Sequence, residues 1–227
     1  MTGSTRVVAL VAARDELARV GMTVEAIASL SEVDEVIVVD DGSCDGTADA
    51  ARTAGARVLR APRAVGKGGA VDRALDHIEA DVYLLLDADL GASAKEAANL
   101  LAPVLSGQAD LAIGVLPRQK GHGGFRLVKR ASALWIRWLS GFRAAEPMSG
   151  QRALTRTAMQ AVRPLARGFG VELGMTVDSV RAGLRVVEMP VEMEHAPTGR
   201  NLGGFLHRAR QGLDHLRAAL PRAVGLR

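Results

Sequence analysis

The sequence predicts an α/β fold with a mostly parallel central sheet, and three observations lead to this prediction. The 227 residues are 48% hydrophobic and 24% charged, a balance typical of a globular chain with a substantial core. Helical patterns separate the predicted strands, which favours βαβ units with right-handed crossovers. The strand-like runs are continuously apolar, as expected of strands buried on both faces: Val7–Ala12, Glu35–Val39, Val82–Leu86 and Leu111–Val115.

The remaining elements follow from apolar spacing along the chain. A further short strand is predicted at Arg57–Arg60 and another at Arg185–Val191. An amphipathic helix is predicted over Phe205–Leu220, with Pro221 ending it. The other predicted helices are Met22–Leu30, Thr47–Ala54, Lys67–Ile78, Lys95–Leu105, Phe125–Leu139, Ala153–Val162 and Glu172–Ala182.

Composition excludes several classes of protein. The single cysteine, Cys44, excludes an intramolecular disulfide framework and a cysteine-based zinc site. The formal charge of +4 comes from 25 Arg and 4 Lys against 25 acidic residues, but few lysines and 3% aromatic residues argue against a nucleic-acid partner. No apolar stretch approaches the roughly 20 residues of a membrane span. We therefore expect a cytoplasmic protein, at most peripheral at the inner membrane face.

Acidic side chains follow two of the predicted strands. Asp40 and Asp41 close the second strand, and Asp87 and Asp89 close the third. Carboxyl ends of parallel strands are where open α/β sheets place ligands, and two close carboxylates suit Mg²⁺ or Mn²⁺. The alternative for each group is a solvated or helix-capping acid.

Four motifs in order then resemble the family 2 glycosyltransferases of the GT-A fold. They are Ala12-Ala13-Arg14-Asp15-Glu16, the segment VVDDGS-x-D-G-T from Val38, Gly66-Lys67-Gly68-Gly69-Ala70, and Asp87-Ala88-Asp89. The resemblance covers roughly residues 6–195 and implies binding of a nucleotide-diphosphate sugar. It implies a GT-A domain over residues 1–202, with a nucleotide-sugar half to about 115 and an acceptor half from about 116. A helical tail is predicted over residues 203–227.

The same resemblance implies roles for individual residues. Asp87 and Asp89 match the metal and diphosphate signature, and Asp41 matches the acid that contacts the base or ribose. Ala12 stands where the family usually has Pro, and Asp15 where it has Asn. The donor-binding residues implied are Ala12, Ala13, Glu16, Asp41, Lys67, Asp87, Ala88 and Asp89.

Two subgroups compete for the closer resemblance. Glu146-Pro147-Met148-Ser149-Gly150-Gln151-Arg152 resembles a segment of the dolichol- and polyprenyl-phosphate hexose synthases, but the Gln that follows their Asp-Ala-Asp is absent here. Gly168–Gly174 and His195 also resemble the retaining glucosyl-3-phosphoglycerate synthases. That likeness implies His195 as the third metal ligand beside Asp87 and Asp89; the alternative is a surface histidine before Pro197.

These resemblances predict transfer of a hexose to a phosphorylated acceptor. A metal on Asp89 would stabilise the diphosphate leaving group. Glu146 and Glu172 are the candidate bases for a hydroxyl acceptor, whereas a phosphate acceptor needs none; Glu172 could instead only complement a helix dipole. The acceptor and phosphate-binding candidates are Arg118, Arg126, Arg130, Ser149, Gly150, Arg152 and Arg200.

Functions of other classes stay open from sequence alone. A sugar nucleotidyltransferase would need a Gly-rich phosphate loop after the first strand, and Ala12–Gly21 does not provide one. A non-catalytic module could bind nucleotide sugar or a membrane surface through the helix at Phe205–Leu220. That helix could equally pack on its own domain or form a homodimer contact.

Overall fold

A computed structural model of the chain describes residues 5–117, 123–166, 168–194 and 217–223; side chains 123–127 and Phe169 lie outside this description. Its centre is one seven-stranded sheet in the order β3-β2-β1-β4-β6-β5-β7. All neighbouring pairs are parallel except those made by β6, which runs antiparallel to both β4 and β5. The strands are β1 Val7–Ala13, β2 Glu35–Asp40, β3 Arg57–Arg60, β4 Val82–Asp87, β5 Leu111–Val115, β6 Arg152–Thr155 and β7 Val186–Pro190.

Helices cover both faces of the sheet, so the fold predicted from the continuous apolar runs is confirmed. Alternate residues of β1 pack on opposite faces of the sheet. Val7 and Ala9 belong to one buried hydrophobic cluster, and Val8 and Leu10 belong to the other. The helices are α1 Val20–Ala28, α2 Thr47–Thr53, α3 Lys67–Ala74, α4 Ala98–Leu105, α5 Gly123–Ser140, α6 Arg156–Val162, α7 Val171–Arg181 and α8 at 217–223.

Two predicted elements are wrong in part. Ala153–Val162 was expected to be one helix, but Arg152–Thr155 forms strand β6 and the helix begins at Arg156. The Thr155 hydroxyl accepts the backbone N–H of Ala158 at 3.1 Å and so caps the helix. Because β6 is short and pairs with distant strands, its local sequence carries little strand signal.

The end of the chain departs from the prediction as well. Pro221 does not end the helix there, since residues 217–223 are helical. Arg222 after it donates through Nε to Asp178 of α7 at 2.7 Å, and both side chains are buried. This ion pair, with Ala218 and Ala219 packed near Leu173 and Val177 of α7, holds α8 against the domain. Most of the predicted helix Phe205–Leu220 lies outside the described residues.

Candidate active site

The carboxyl ends of β1, β2 and β4 bring the sequence motifs to one edge of the sheet. β1 pairs in parallel with both neighbours, so Ala12 lies opposite Asp87 of β4, and Ala13 opposite Asp40 of β2. The turn after β4 is tied to α1, because Thr23 donates to the Ala88 carbonyl at 2.8 Å and Arg19 to the Asp89 carbonyl at 3.1 Å. The predicted donor-binding motifs therefore share one edge.

Asp41 positions the loop that leads to Lys67. One carboxylate oxygen of Asp41 accepts the backbone N–H of Val65 at 2.7 Å, and the other accepts that of Gly66 at 2.9 Å. Asp41 is 5% exposed. In this structure its carboxylate therefore orders the loop before α3, and contact with a base or ribose stays a prediction.

Lys67 joins two carboxylates from distant parts of the chain. Its Nζ lies 2.6 Å from Oδ1 of Asp87 and 3.0 Å from Oε1 of Glu172, which lies in the first turn of α7. Burial lowers the pKa of Lys67, but the charges of Asp87 and Glu172 outweigh it and raise the pKa above its usual value. The ammonium thus stays protonated across the physiological range.

Gln151 completes the environment of Asp87, a role that was not predicted from the sequence. Its Nε2 donates to Oδ2 of Asp87 at 2.7 Å, and its Oε1 accepts the Asp87 backbone N–H at 3.1 Å. Gln151 is fully buried. The available signal was its place directly after the Ser149-Gly150 pair in a motif-bearing segment. Each oxygen of Asp87 thus has a partner within the chain, and the roles of Asp87 and Asp89 as metal ligands stay predictions.

Arg152 is almost fully buried at the start of β6. It is 1% exposed in β6, where Nε donates to the Ser149 carbonyl at 2.9 Å and Nη1 to the Thr176 hydroxyl at 3.0 Å. Burial lowers its pKa to about 10, partly opposed by the charges of Glu172 and Glu188. Arg152 lines a small cavity with Lys67 and Glu172, and its role in binding acceptor phosphate stays a prediction.

The segment before Gly150 is held separately. The carboxylate of Glu188 in β7 accepts the backbone N–H groups of Ala145 and Glu146 at 2.9 and 2.8 Å. The Glu146 carboxylate forms an ion pair with Lys129 of α5. Ser149 and Gly150 are buried next to this turn. Both candidate bases, Glu146 and Glu172, are thus paired with lysines.

The acidic edge carries a negative potential that suits a divalent cation. The pKa of Glu16 is raised, first by burial and then by the negative charges of Asp89, Asp87 and Asp45. Oxygen ligands of this kind are those preferred by Mg²⁺ and Mn²⁺. Within the described ranges no group of three or more His, Cys, Asp or Glu side chains is placed to hold a metal.

Several predicted residues lie elsewhere. Arg130 is exposed on α5. His195, Arg118 and Arg200 lie outside the described residues, as does the side chain of Arg126. Their predicted roles stay predictions. Among the described helices, none combines the length and apolar content needed to cross a bilayer.

Comparison with known proteins adds relatives of similar sequence. Glycosyltransferase AglJ of Haloferax volcanii is 34% identical over 173 residues, which are 72% of this chain and 55% of that protein. Glucosyl-3-phosphoglycerate synthase of Mycolicibacterium paratuberculosis is 33% identical over 200 residues, 77% of this chain and 60% of that protein. Undecaprenyl-phosphate mannosyltransferase of Micrococcus luteus is 27% identical over 220 residues, 86% of each chain. The chain thus spans less than two thirds of the length of the first two.

Solved structures of glucosyl-3-phosphoglycerate synthase from Mycobacterium tuberculosis share the fold. The complex of that enzyme with Mn²⁺, uridine diphosphate and phosphoglyceric acid superposes with a TM-score of 0.81 and 27% identity, covering 96% of this chain and 78% of that one. Its complex with Mg²⁺ and uridine diphosphate gives a TM-score of 0.79 and 27% identity, covering 95% and 79%. The GT-A fold predicted from the motifs is confirmed by this likeness.

The family of this chain follows from its match to a protein-family model. The model described as glycosyl transferase family 2 matches residues 9–161, which contain most of β1, all of β2 to β6 and the four sequence motifs. The predicted family is confirmed: this chain belongs to glycosyl transferase family 2.

Proposed function

We propose that the chain is a metal-dependent hexosyltransferase that moves a sugar from a nucleotide diphosphate to a phosphorylated acceptor. The observation that carries this proposal is the bridge from Lys67 to Asp87 and Glu172 at the same sheet edge as Asp89. Three elements far apart in sequence meet there with opposite charges, next to the acidic potential at Glu16. The relatives support it, since their names include glucosyl and mannosyl transfer.

The chain's own groups would orient the donor. Lys67 holds Asp87 in a fixed position, and Gln151 fixes the second oxygen, so this carboxylate is a rigid acceptor for donor hydroxyl groups. Mg²⁺ or Mn²⁺ bound at Asp89 would supply Lewis-acid stabilisation of the diphosphate leaving group. His195 is proposed as a further ligand.

The ion pairs of Glu146 and Glu172 indicate which chemical class of acceptor the site can use. Because Lys129 and Lys67 hold these two groups, neither is poised as a general base. A phosphate oxygen needs no deprotonation to attack, so the geometry favours a phosphorylated acceptor that reacts through its phosphate, such as a polyprenyl phosphate.

A second candidate is a retaining enzyme resembling the glucosyl-3-phosphoglycerate synthases. The 95–96% coverage of this chain by those structures favours it, and those complexes contain uridine diphosphate and phosphoglyceric acid. Retention likewise makes no demand for a carboxylate base if the leaving phosphate accepts the proton. The two candidates share the donor site and differ in the acceptor and in the stereochemical outcome of transfer. A homodimer and a peripheral membrane contact of the C-terminal tail are further predictions.

The donor test measures binding before any acceptor is known. Uridine, guanosine and adenosine diphosphate sugars are screened by thermal shift with and without Mg²⁺ or Mn²⁺, and a bound ligand raises the melting temperature by mass action. We expect metal-dependent stabilisation by one of them, lost in Asp89→Asn. The matched control is Asp49→Asn, whose side chain is 86% exposed in α2. No stabilisation by any of these donors would refute the proposal.

The acceptor test follows with the donor that binds. Product formation is measured with polyprenyl phosphate in detergent and with 3-phosphoglycerate, and the anomeric configuration is read by proton NMR. Transfer to the lipid phosphate supports the first candidate, and retaining transfer to phosphoglycerate supports the second. Transfer to a neutral sugar, and to neither phosphorylated compound, would overturn the acceptor class.

A further inference from the structure

One face of α5 is covered by no part of the described chain and combines apolar and cationic side chains. We call Arg130, Leu134, Arg137 and Trp138 the outer face of α5; all are exposed. At 3.6 residues per turn they lie within an arc of about 100°. The opposite side of the helix, with Ser132, Ile136 and Leu139 buried, packs on the domain. The outer face is therefore a surface separate from the core.

Its apolar members are unusually exposed. Trp138 is 67% exposed and Leu134 65%, the highest values among the large hydrophobic residues described. Trp135, half-buried, contacts the Trp138 ring edge-on with centroids 5.6 Å apart. This contact orients the Trp138 ring, so the exposed indole is a fixed feature of the surface. Exposed apolar groups gathered on one face indicate an interaction site.

The charges on this part of the chain have one sign. Residues 111–145 contain five Arg and two Lys and no acidic residue. Arg137 lies between Leu134 and Trp138 in sequence, and Arg143 is exposed just after the helix. Two copies of this face brought together would oppose guanidinium groups without counter-charges, so charge argues against a symmetric dimer here. The complementary partner is anionic.

We propose that the outer face of α5 docks the protein on an anionic lipid surface. Tryptophan favours the interface between headgroups and acyl chains, leucine enters the apolar layer, and arginine binds lipid phosphate while its stem lies along the apolar boundary. An acidic protein partner would complement the arginines, but it would not explain why a leucine and a tryptophan are exposed on successive turns of the same helix face. The proposal does not rest on the proposed function.

The placement of α5 relates this surface to the site. Strand β5 precedes α5. Strand β6 lies between β5 and β4 and is antiparallel to both, so β5 and β4 run in the same direction. α5 therefore follows a strand end at the same edge as Asp87. Lys129 of α5 reaches Glu146 in the segment that leads to Gly150. The helix that carries the outer face is thus in contact with the segment that leads to the site.

Vesicle sedimentation tests the proposal with the full chain. Vesicles of phosphatidylcholine alone are compared with vesicles that also contain phosphatidylglycerol. Trp138→Ser removes the apolar anchor, and Met22→Ser is its control, since Met22 is 53% exposed on α1. Arg137→Gln removes one charge, and Arg52→Gln on α2 is its control.

We expect at least tenfold tighter binding to the anionic vesicles, weakened by salt. Arg137→Gln should weaken binding about fivefold, the effect of one cation near an anionic surface. Trp138→Ser should weaken it about tenfold or more, and both controls should bind as the unchanged protein does. Thermal unfolding of each variant in lipid-free buffer checks that the fold is intact.

Three results would overturn the proposal. The first is equal binding to neutral and anionic vesicles. The second is a loss in Trp138→Ser and Arg137→Gln no larger than in their controls. The third is a concentration-dependent dimer in lipid-free solution that Trp138→Ser abolishes, which would assign the face to a second copy of the chain.

Discussion

Gly150 is expected to be a sensitive glycine of the site, because the side chains of Lys67 and Asp87 meet directly over it. A Cβ built at this position lies 2.3 Å from Nζ of Lys67 and 2.6 Å from Oδ2 of Asp87. Gly150 is not among the glycines with positive φ, so its backbone accepts alanine. The substitution Gly150→Ala therefore tests the contact alone.

The distances set the size of the effect. Ordinary contacts of a carbon atom lie near ~3.5 Å, so Lys67 and Asp87 must each retreat by about 1 Å. The 2.6 Å bond between them is then lost or reoriented. A misplacement of about 1 Å in an active site can cost about 100-fold in rate. Because both displaced atoms are ends of flexible side chains, the stability cost should stay near 1–3 kcal/mol, about 2–12 °C in Tm.

The assay separates these two quantities. Transfer or donor hydrolysis reports the site, and thermal unfolding reports the fold. The control Gly21→Ala lies in α1, where the added Cβ meets nothing closer than 4.0 Å, and it should leave activity unchanged and raise stability by about 0.5–1 kcal/mol. In a Lys67→Met background, Gly150→Ala should cost much less, because the two changes act on one contact.

One outcome would refute this reasoning. If Gly150→Ala keeps donor affinity and turnover within about threefold, under 1 kcal/mol, then the contact over Gly150 does not position the site. Equal losses from Gly150→Ala with and without Lys67 would refute the assigned cause as well.

Two further predictions concern stability. Arg222→Ala removes the buried ion pair between Arg222 and Asp178 and should cost about 3–5 kcal/mol, roughly 6–20 °C in Tm. Arg52→Ala, in an exposed pair, should cost under about 0.5 kcal/mol. Calorimetry checks both, and equal losses would contradict the stabilising contact between α8 and α7. Asp110→Asn tests the fork with Arg185, whose hydrogen bond lowers the pKa of Asp110 below 3.8. Because a lowered carboxyl pKa stabilises the fold above the unfolded pKa, the Tm difference from the unchanged protein should be full above about pH 5 and shrink as pH falls below 3.8; a difference that persists undiminished at pH 2 would contradict it.

Strands buried on both faces were predictable, because their continuous apolar runs need no partner to be recognised. Strand β6 was not, since it places Arg152 at 1% exposure between β4 and β5. A buried arginine has no signature in a hydrophobicity pattern, and its partner Thr176 lies in a helix 24 residues away. The placement of β6 between β4 and β5 also brings Gln151 next to Asp87, although the two residues are 64 positions apart in sequence.

The motif order, by contrast, was sufficient to predict the shared edge. Each motif follows a strand, and parallel strands end together, so Asp41, Lys67 and Asp89 had to converge whatever the details of the loops. What the motifs could not specify was the partner of each oxygen. Asp41 is occupied by backbone N–H groups and Asp87 by Lys67 and Gln151, and those assignments depend on loop geometry.

The balance of charge finally distinguishes two zones within the site. Beneath the edge, Lys67 and Arg152 face Asp87 and Glu172, so the formal charges of this buried group cancel. At the edge itself, burial raises the pKa of Glu16 first, and the negative charges of Asp89, Asp87 and Asp45 raise it further. A divalent cation placed beneath would meet a group whose charges already cancel, whereas one placed at the edge would meet acids. We therefore propose that the cation and the donor diphosphate bind on the Glu16 side of Asp87, next to the ion pairs of Lys67.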